Sequence, residues 1–169
     1  MPVHILIATA GVLSPDAVAE FTRRLAGPDG RVSVITVIEV PRSFLDTIRS
    51  EQWHPLTASD SDWTEEEDAV IARYVEERGR RVTEPVLVAL RSAGLEADVH
   101  FIEGEDPAAT IITAAADLAA DLVVLGATKP LFDESAWESV SARVMRDAQR
   151  PVLVVPVSPR GGEDDVATE

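Results

Sequence analysis

The sequence predicts an α/β fold, a single doubly wound parallel sheet of five strands with helices on both faces. Two runs, Leu122–Leu125 and Val152–Val155, are short, continuously apolar and rich in β-branched residues, the composition of strands buried on both faces of a parallel sheet. Between them Val140, Val144 and Ala148 recur every four residues, with Arg143 and Arg146-Asp147 around them, which is the pattern of an amphipathic crossover helix. Strand-like and helix-like segments alternate along the whole chain, and no internal repeat or low-complexity segment interrupts them. Gly126 ends one of these strands where a loop must turn toward a helix. In an open parallel sheet the carboxyl ends of strands are where ligands sit.

His4–Thr9 reads as the first strand, and Ala10-Gly11 turns out of it. Ser14 then offers an N-cap, Pro15 suits the first helical position, and Asp16 adds a favourable charge to the first turn. Val18, Phe21 and Leu25 mark the face expected to be buried, and Gly27-Pro28-Asp29-Gly30 stops the helix. Arg31–Val40 is β-branched enough for a second central strand. Residues 41–63 hold prolines, serines, His54, Trp53 and Trp63 without a sustained period, so a functional or mobile loop is expected, its tryptophans folded back over the sheet edge. Thr64-Glu65-Glu66-Glu67 has the capping-box spacing and opens a long helix. Val70, Ile71, Tyr74, Val75, Val82, Val86, Ala89 and Leu90 keep one side of it apolar, and a kink or restart is expected at Pro85 before the stop at Gly94. Leu95–Ile102 reads as the third strand. Asp106 and Pro107 start the next helix, which Ile111, Ile112, Ala115 and Leu118 pack down. Residues 1–157 form one domain on this reading, and the acidic tail 158–169 is expected to be disordered.

With 169 residues, 46% of them hydrophobic and 27% charged, the chain can bury a sizeable core in one domain. No apolar run approaches the length of a membrane span and no signal-peptide pattern opens the chain, so a cytoplasmic protein with no membrane partner is expected. Cysteine is absent, which excludes disulfides, thiolate catalysis and zinc–thiolate sites. A formal charge of −15 repels phosphate backbones, so no nucleic-acid partner is expected. The charge serves solubility instead.

HILIATAG, GEDPAATIITAA, ADLVVLGA and SVSARVMRDAQRPVLVV together resemble the universal stress protein family over Val3–Val157. The resemblance implies the strand order 3-2-1-4-5, which sets Ala10-Gly11 and Gly126 side by side at the topological switch point. It also implies a homodimer paired through the last strand, with Val152, Val154 and Val155 at the interface. An apolar sheet edge left bare would invite uncontrolled pairing, and a two-fold pair closes it. ATP-binding members carry glycine, two residues, glycine, nine residues, glycine, then serine or threonine, so that phosphates lie against bare backbone amides. On this chain the implied nucleotide-binding positions are Ala10, Gly11, Val37, Gly126, Thr128, Lys129, Ser139 and Val140. Gly126 matches the first glycine, but Lys129 stands at the second and Glu138 at the third, and the loop between is one residue short. Ala10 replaces the acidic residue that meets the adenine.

Glycine is needed at such a site because a Cβ blocks close approach and disfavours positive φ. Gly126, Ser139 and the Val140 amide at a helix start retain donors for an anion, and Lys129 adds a charge. Against that single lysine, residues 129–138 set Asp133, Glu134 and Glu138, a net of −2. A carboxylate about 5 Å from a phosphate charge costs roughly 3 kcal/mol at an effective dielectric near 20, about two orders of magnitude in affinity. ATP is therefore not expected as a cofactor in the family's usual manner. His4, His54 and His100 show no metal-ligand spacing, and no metal site is expected. Ser135, Ser139 and Ser141 lack the G-x-S-x-G elbow of a hydrolase. A phospho-receiver needs acidic residues where Ala10, Gly11 and Val12 stand. The expectation is a non-catalytic regulator that binds a protein partner. The alternatives are an ATP-binding stress regulator with a rebuilt loop at Gly126, Lys129 and Ser139, and an enzyme, such as a weak nucleotide hydrolase, with a site under residues 41–63.

Overall fold

The computed structural model describes residues 2–41, 43–44, 46–47, 60–127 and 139–156, with the backbone alone for 60–67. Five strands, β1 (His4–Ala8), β2 (Arg31–Ile38), β3 (Asp98–Glu103), β4 (Leu122–Ala127) and β5 (Val152–Pro156), form one sheet in the order β3-β2-β1-β4-β5. Every pairing is parallel, so each connection must cross over, and α1 (Pro15–Ala26), α2 (Asp60–Ser92), α3 (Pro107–Asp117) and α4 (Val140–Asp147) supply the crossovers. The strand order is the one expected.

Two apolar layers sandwich the sheet because side chains alternate across it. Ile5 and Ile7 of β1, with Val32 and Val34, point to one face, where Val18, Ala19 and Ala26 of α1 and Val86, Ala89 and Leu90 of α2 cover them. Leu6, Ala8 and Ile35 point to the other, under Ala108, Ile111, Ala114 and Ala115 of α3 and Val144 of α4. β1 is buried along its whole length, as a central strand of a doubly wound sheet must be. At its amino end the buried His4 ring shares a 2.9 Å hydrogen bond with Ser33 Oγ, and the His4 amide donates to Asp121 Oδ2 at 2.8 Å. That histidine is structural.

Several details depart from the expectation. α1 turns Val18, Ala19, Thr22 and Ala26 inward, whereas Phe21 and Leu25 are 52% and 46% exposed. The small residues win the inward face because they let α1 lie close to the sheet and to α2. α2 begins at Asp60, one turn before the capping-box threonine, and runs unbroken past Pro85. Val70 is exposed, and the buried side of α2 continues instead through Gly79 and Thr83. β3 starts at Asp98 rather than Leu95, because the Leu95 amide is spent on Leu90 O at 2.9 Å in a helix stop around Gly94, whose φ is +79°. Within 41–63, residues 43, 44, 46 and 47 are helical, and the Phe44 ring meets Tyr74 of α2 at a centroid distance of 4.6 Å. Trp53, His54 and the tail 158–169 lie outside the described residues, as does the Trp63 side chain. No helix among the described residues is long and apolar enough to cross a membrane.

Candidate functional site

The carboxyl ends of β1 and β4 meet beside the amino ends of α3 and α4, and a pocket of about 160 Å³ opens there. Ala8, Thr9 and Ala10 follow β1 into it, Leu125 and Gly126 come from β4, and Ile35 and Val37 reach it from β2. Pro107 and Ile111 of α3 and Val140 and Ser141 of α4 form the opposite wall, while Val12 and Leu13 fold in from the loop after β1.

Local chemistry fixes these walls. Asp106 caps α3, its Oδ1 accepting from the Ala109 amide at 3.2 Å, with Pro107 in the first turn where no intrahelical amide is needed. Ser139 caps α4, its Oγ accepting from the Ala142 amide at 3.2 Å and lying 3.2 Å from Ser141 Oγ. Arg143 of α4 donates to both oxygens of Asp106, at 3.0 and 2.7 Å, and ties the two helices together. That guanidinium, with the Ala109 amide next in effect, holds the Asp106 carboxyl below the ordinary carboxylate range. Gly11 has φ +84° and donates its amide to Thr9 Oγ1 at 3.0 Å, so the turn out of β1 closes on its own side chain. A Cβ built on Gly126 would lie 3.1 Å from Leu13 Cδ2 and 3.5 Å from Val12 Cγ2, so the space beside this glycine is already covered.

The predicted positions Ala10, Val37, Gly126 and Val140 are thus brought together in one pocket. Gly11 does not line it, and Ser139 stands behind Ser141 as the helix cap. Val140, expected on the buried stripe of its helix, is 36% exposed at the pocket rim. Thr128, Lys129 and Glu138 lie outside the described residues. Thr9, Ile35, Ile111 and Ser141 also line the pocket, beyond the nucleotide-binding positions that the family resemblance implies. Ile35 was within reach of sequence reasoning, since residues two apart on a strand share a face with Val37. Ser141 was not, because only the packing of α4 decides that Ser139 caps the helix while Ser141 lines the pocket. No charged side chain lines the pocket, and no metal-binding group of histidines and carboxylates occurs, among the described residues.

No curated protein matches the chain. Among solved structures, the hypothetical protein MJ0577 is 20% identical, covers 94% of this chain and 99% of its own, and superposes with a TM-score of 0.60. A universal stress protein family member from Burkholderia pseudomallei is 21% identical, with coverages of 90% and 95% and a TM-score of 0.55. A universal stress protein in complex with cAMP is 16% identical, with coverages of 93% and 98% and a TM-score of 0.57. These likenesses concern the fold. The family itself is shown by sequence, for residues 1–156 match the universal stress protein family, and the chain belongs to it.

Proposed function

We propose that this chain is a non-catalytic regulatory member of its family, which acts as a homodimer by binding a protein partner and does not hold ATP in the family's usual manner. The carrying observation is the uncharged lining of the switch-point pocket among the described residues. A triphosphate needs cations and bare amides, yet Arg143 is committed to Asp106 and Leu13 lies over Gly126. Ala10 gives an adenine no side-chain acceptor. Phe21 and Leu25, one turn apart and both exposed on α1, support a role in protein contact.

Calorimetric titration of ATP with magnesium into the full chain tests the reading. Dissociation constants no tighter than about the millimolar range are expected, since the missing contacts amount to several kcal/mol. Micromolar binding would overturn it. The second reading, a nucleotide-binding regulator, draws on the position of the pocket at the switch point and on the solved relative in complex with cAMP. The same titration with cAMP decides it.

A further inference from the structure

We propose that the switch-point pocket receives a neutral single-ring molecule bearing one hydrogen-bonding substituent, an inference that rests on the reading that this pocket is not an ATP site. Its volume, about 160 Å³, is close to that of engineered apolar cavities of about 150 Å³ that take up benzene. Ile35 and Ile111 supply buried apolar walls, and Val12 and Val140 at the opening are 38% and 36% exposed. A ring entering between the two valines would cover apolar surface that water now meets.

Two hydroxyls give this apolar site its polar handle. Thr9 Oγ1 accepts from the Gly11 amide, which leaves its own hydrogen to donate, and the residue is only 5% exposed. Ser141 Oγ lies 3.2 Å from Ser139 Oγ, which already accepts from the Ala142 amide. An amide or phenol oxygen on the ring can therefore be met by a buried hydroxyl. A charged ligand is treated differently. Asp106 and Arg143, on the helices whose first turns form one wall, neutralise each other, and among the described residues no charged side chain lines the pocket to compensate an ion for its lost water.

The test is titration of the isotopically labelled full chain with benzamide, phenol and benzoate, followed by backbone amide resonances. Benzamide and phenol should give saturable shifts at Thr9, Gly126 and Val140, and benzoate, which adds a charge to a ring of the same size, should bind roughly tenfold or more weakly. Ala10→Leu, at an exposed position on the rim, should abolish these shifts, and Ser141→Ala should weaken benzamide severalfold; the second variant keeps the test open if the first does not fold. Equal affinity for benzoate and benzamide, no saturable shift with either neutral ring, or shifts unaltered in the folded variants would overturn the proposal. ATP is titrated separately. Tight ATP binding that displaces benzamide overturns the reading of the pocket as a non-ATP site, whereas failure of both ATP and the neutral rings to bind overturns the neutral-ligand inference alone.

Discussion

Asp106 holds Arg143 through both carboxylate oxygens, at 3.0 and 2.7 Å, while the same side chain caps α3 at the Ala109 amide. One residue thereby fixes the amino end of α3, the approach of α4 and one wall of the pocket. Because the pair is 37% and 45% exposed, solvent screens it, and its role is more to set geometry than to supply stability.

Asp106→Asn separates the two roles, since asparagine still caps a helix but cannot pair with the guanidinium as an anion. The folded carboxyl is held below its unfolded value of about 3.9, so the stability it contributes is present above that pH and lost as pH falls through the folded value. The melting temperature of wild type should exceed that of the variant at neutral pH, with the gap closing as the pH falls through the depressed folded value and shrinking in high salt. A gap that stays constant with pH would mean that the ion pair contributes nothing.

Gly79 of α2 faces Phe101 of β3, and a Cβ built there would lie 2.5 Å from the ring carbons Cδ1 and Cγ and 3.0 Å from Phe101 Cβ. The ring cannot simply swing aside, because its own Cβ is part of the contact. Gly79→Ala would ordinarily strengthen a helix by about 1 kcal/mol, but overpacking of this kind costs about 1 to 3 kcal/mol or more. Net destabilisation is expected in urea denaturation, and Phe101→Leu in the same chain should return part of it. A stabilised Gly79→Ala would show that α2 shifts freely away from β3.

β5 is a sheet edge, with β4 as its single neighbour, and Val152 and Val154 on it are half-buried. Val155 is buried in the core beneath α1 and α2, so any interface it joins is reached through its backbone. Antiparallel pairing of β5 with its copy about a two-fold axis would satisfy that edge. Sedimentation should report a dimer at micromolar concentration, and Val154→Lys should weaken it. A monomeric wild type would remove the homodimer from the proposed function.

The sheet was legible because β1, β4 and β5 carry continuous apolar runs, Ile5–Ala8, Leu122–Leu125 and Val152–Val155, and a parallel sheet leaves few other uses for such runs. The inward face of α1 was not. Val18 belongs equally to an 18, 21, 25 stripe and to an 18, 22, 26 stripe, and helical periodicity alone cannot choose between them. The choice falls to packing distance, which favours Thr22 and Ala26 over Phe21 and Leu25. The candidate site was legible in its glycine and its switch-point position, while its apolar character emerged only when β2, α3 and the loop after β1 were brought around Gly126. Val12 and Leu13 carry no motif, and their place over that glycine is a tertiary fact.

If the variant loop is what withholds ATP, its repair should restore binding in steps. Glu138→Gly alone should help most, because it removes a side chain and a charge together. Adding Lys129→Gly, one inserted loop residue and Ala10→Asp should raise ATP affinity by roughly two to three orders of magnitude, each repaired contact contributing about 1 to 3 kcal/mol. The structure adds one further obstacle, since Leu13 Cδ2 stands 3.1 Å from where a Gly126 Cβ would be and so occupies the approach to this backbone. Calorimetric titration of each variant with magnesium and ATP follows the series. Stepwise gains would place the cause in the loop. A fully repaired variant that gains nothing until Leu13→Ala is added would place it in the Val12-Leu13 cover instead, and no gain even then would rule out both the loop and the cover as what withholds ATP.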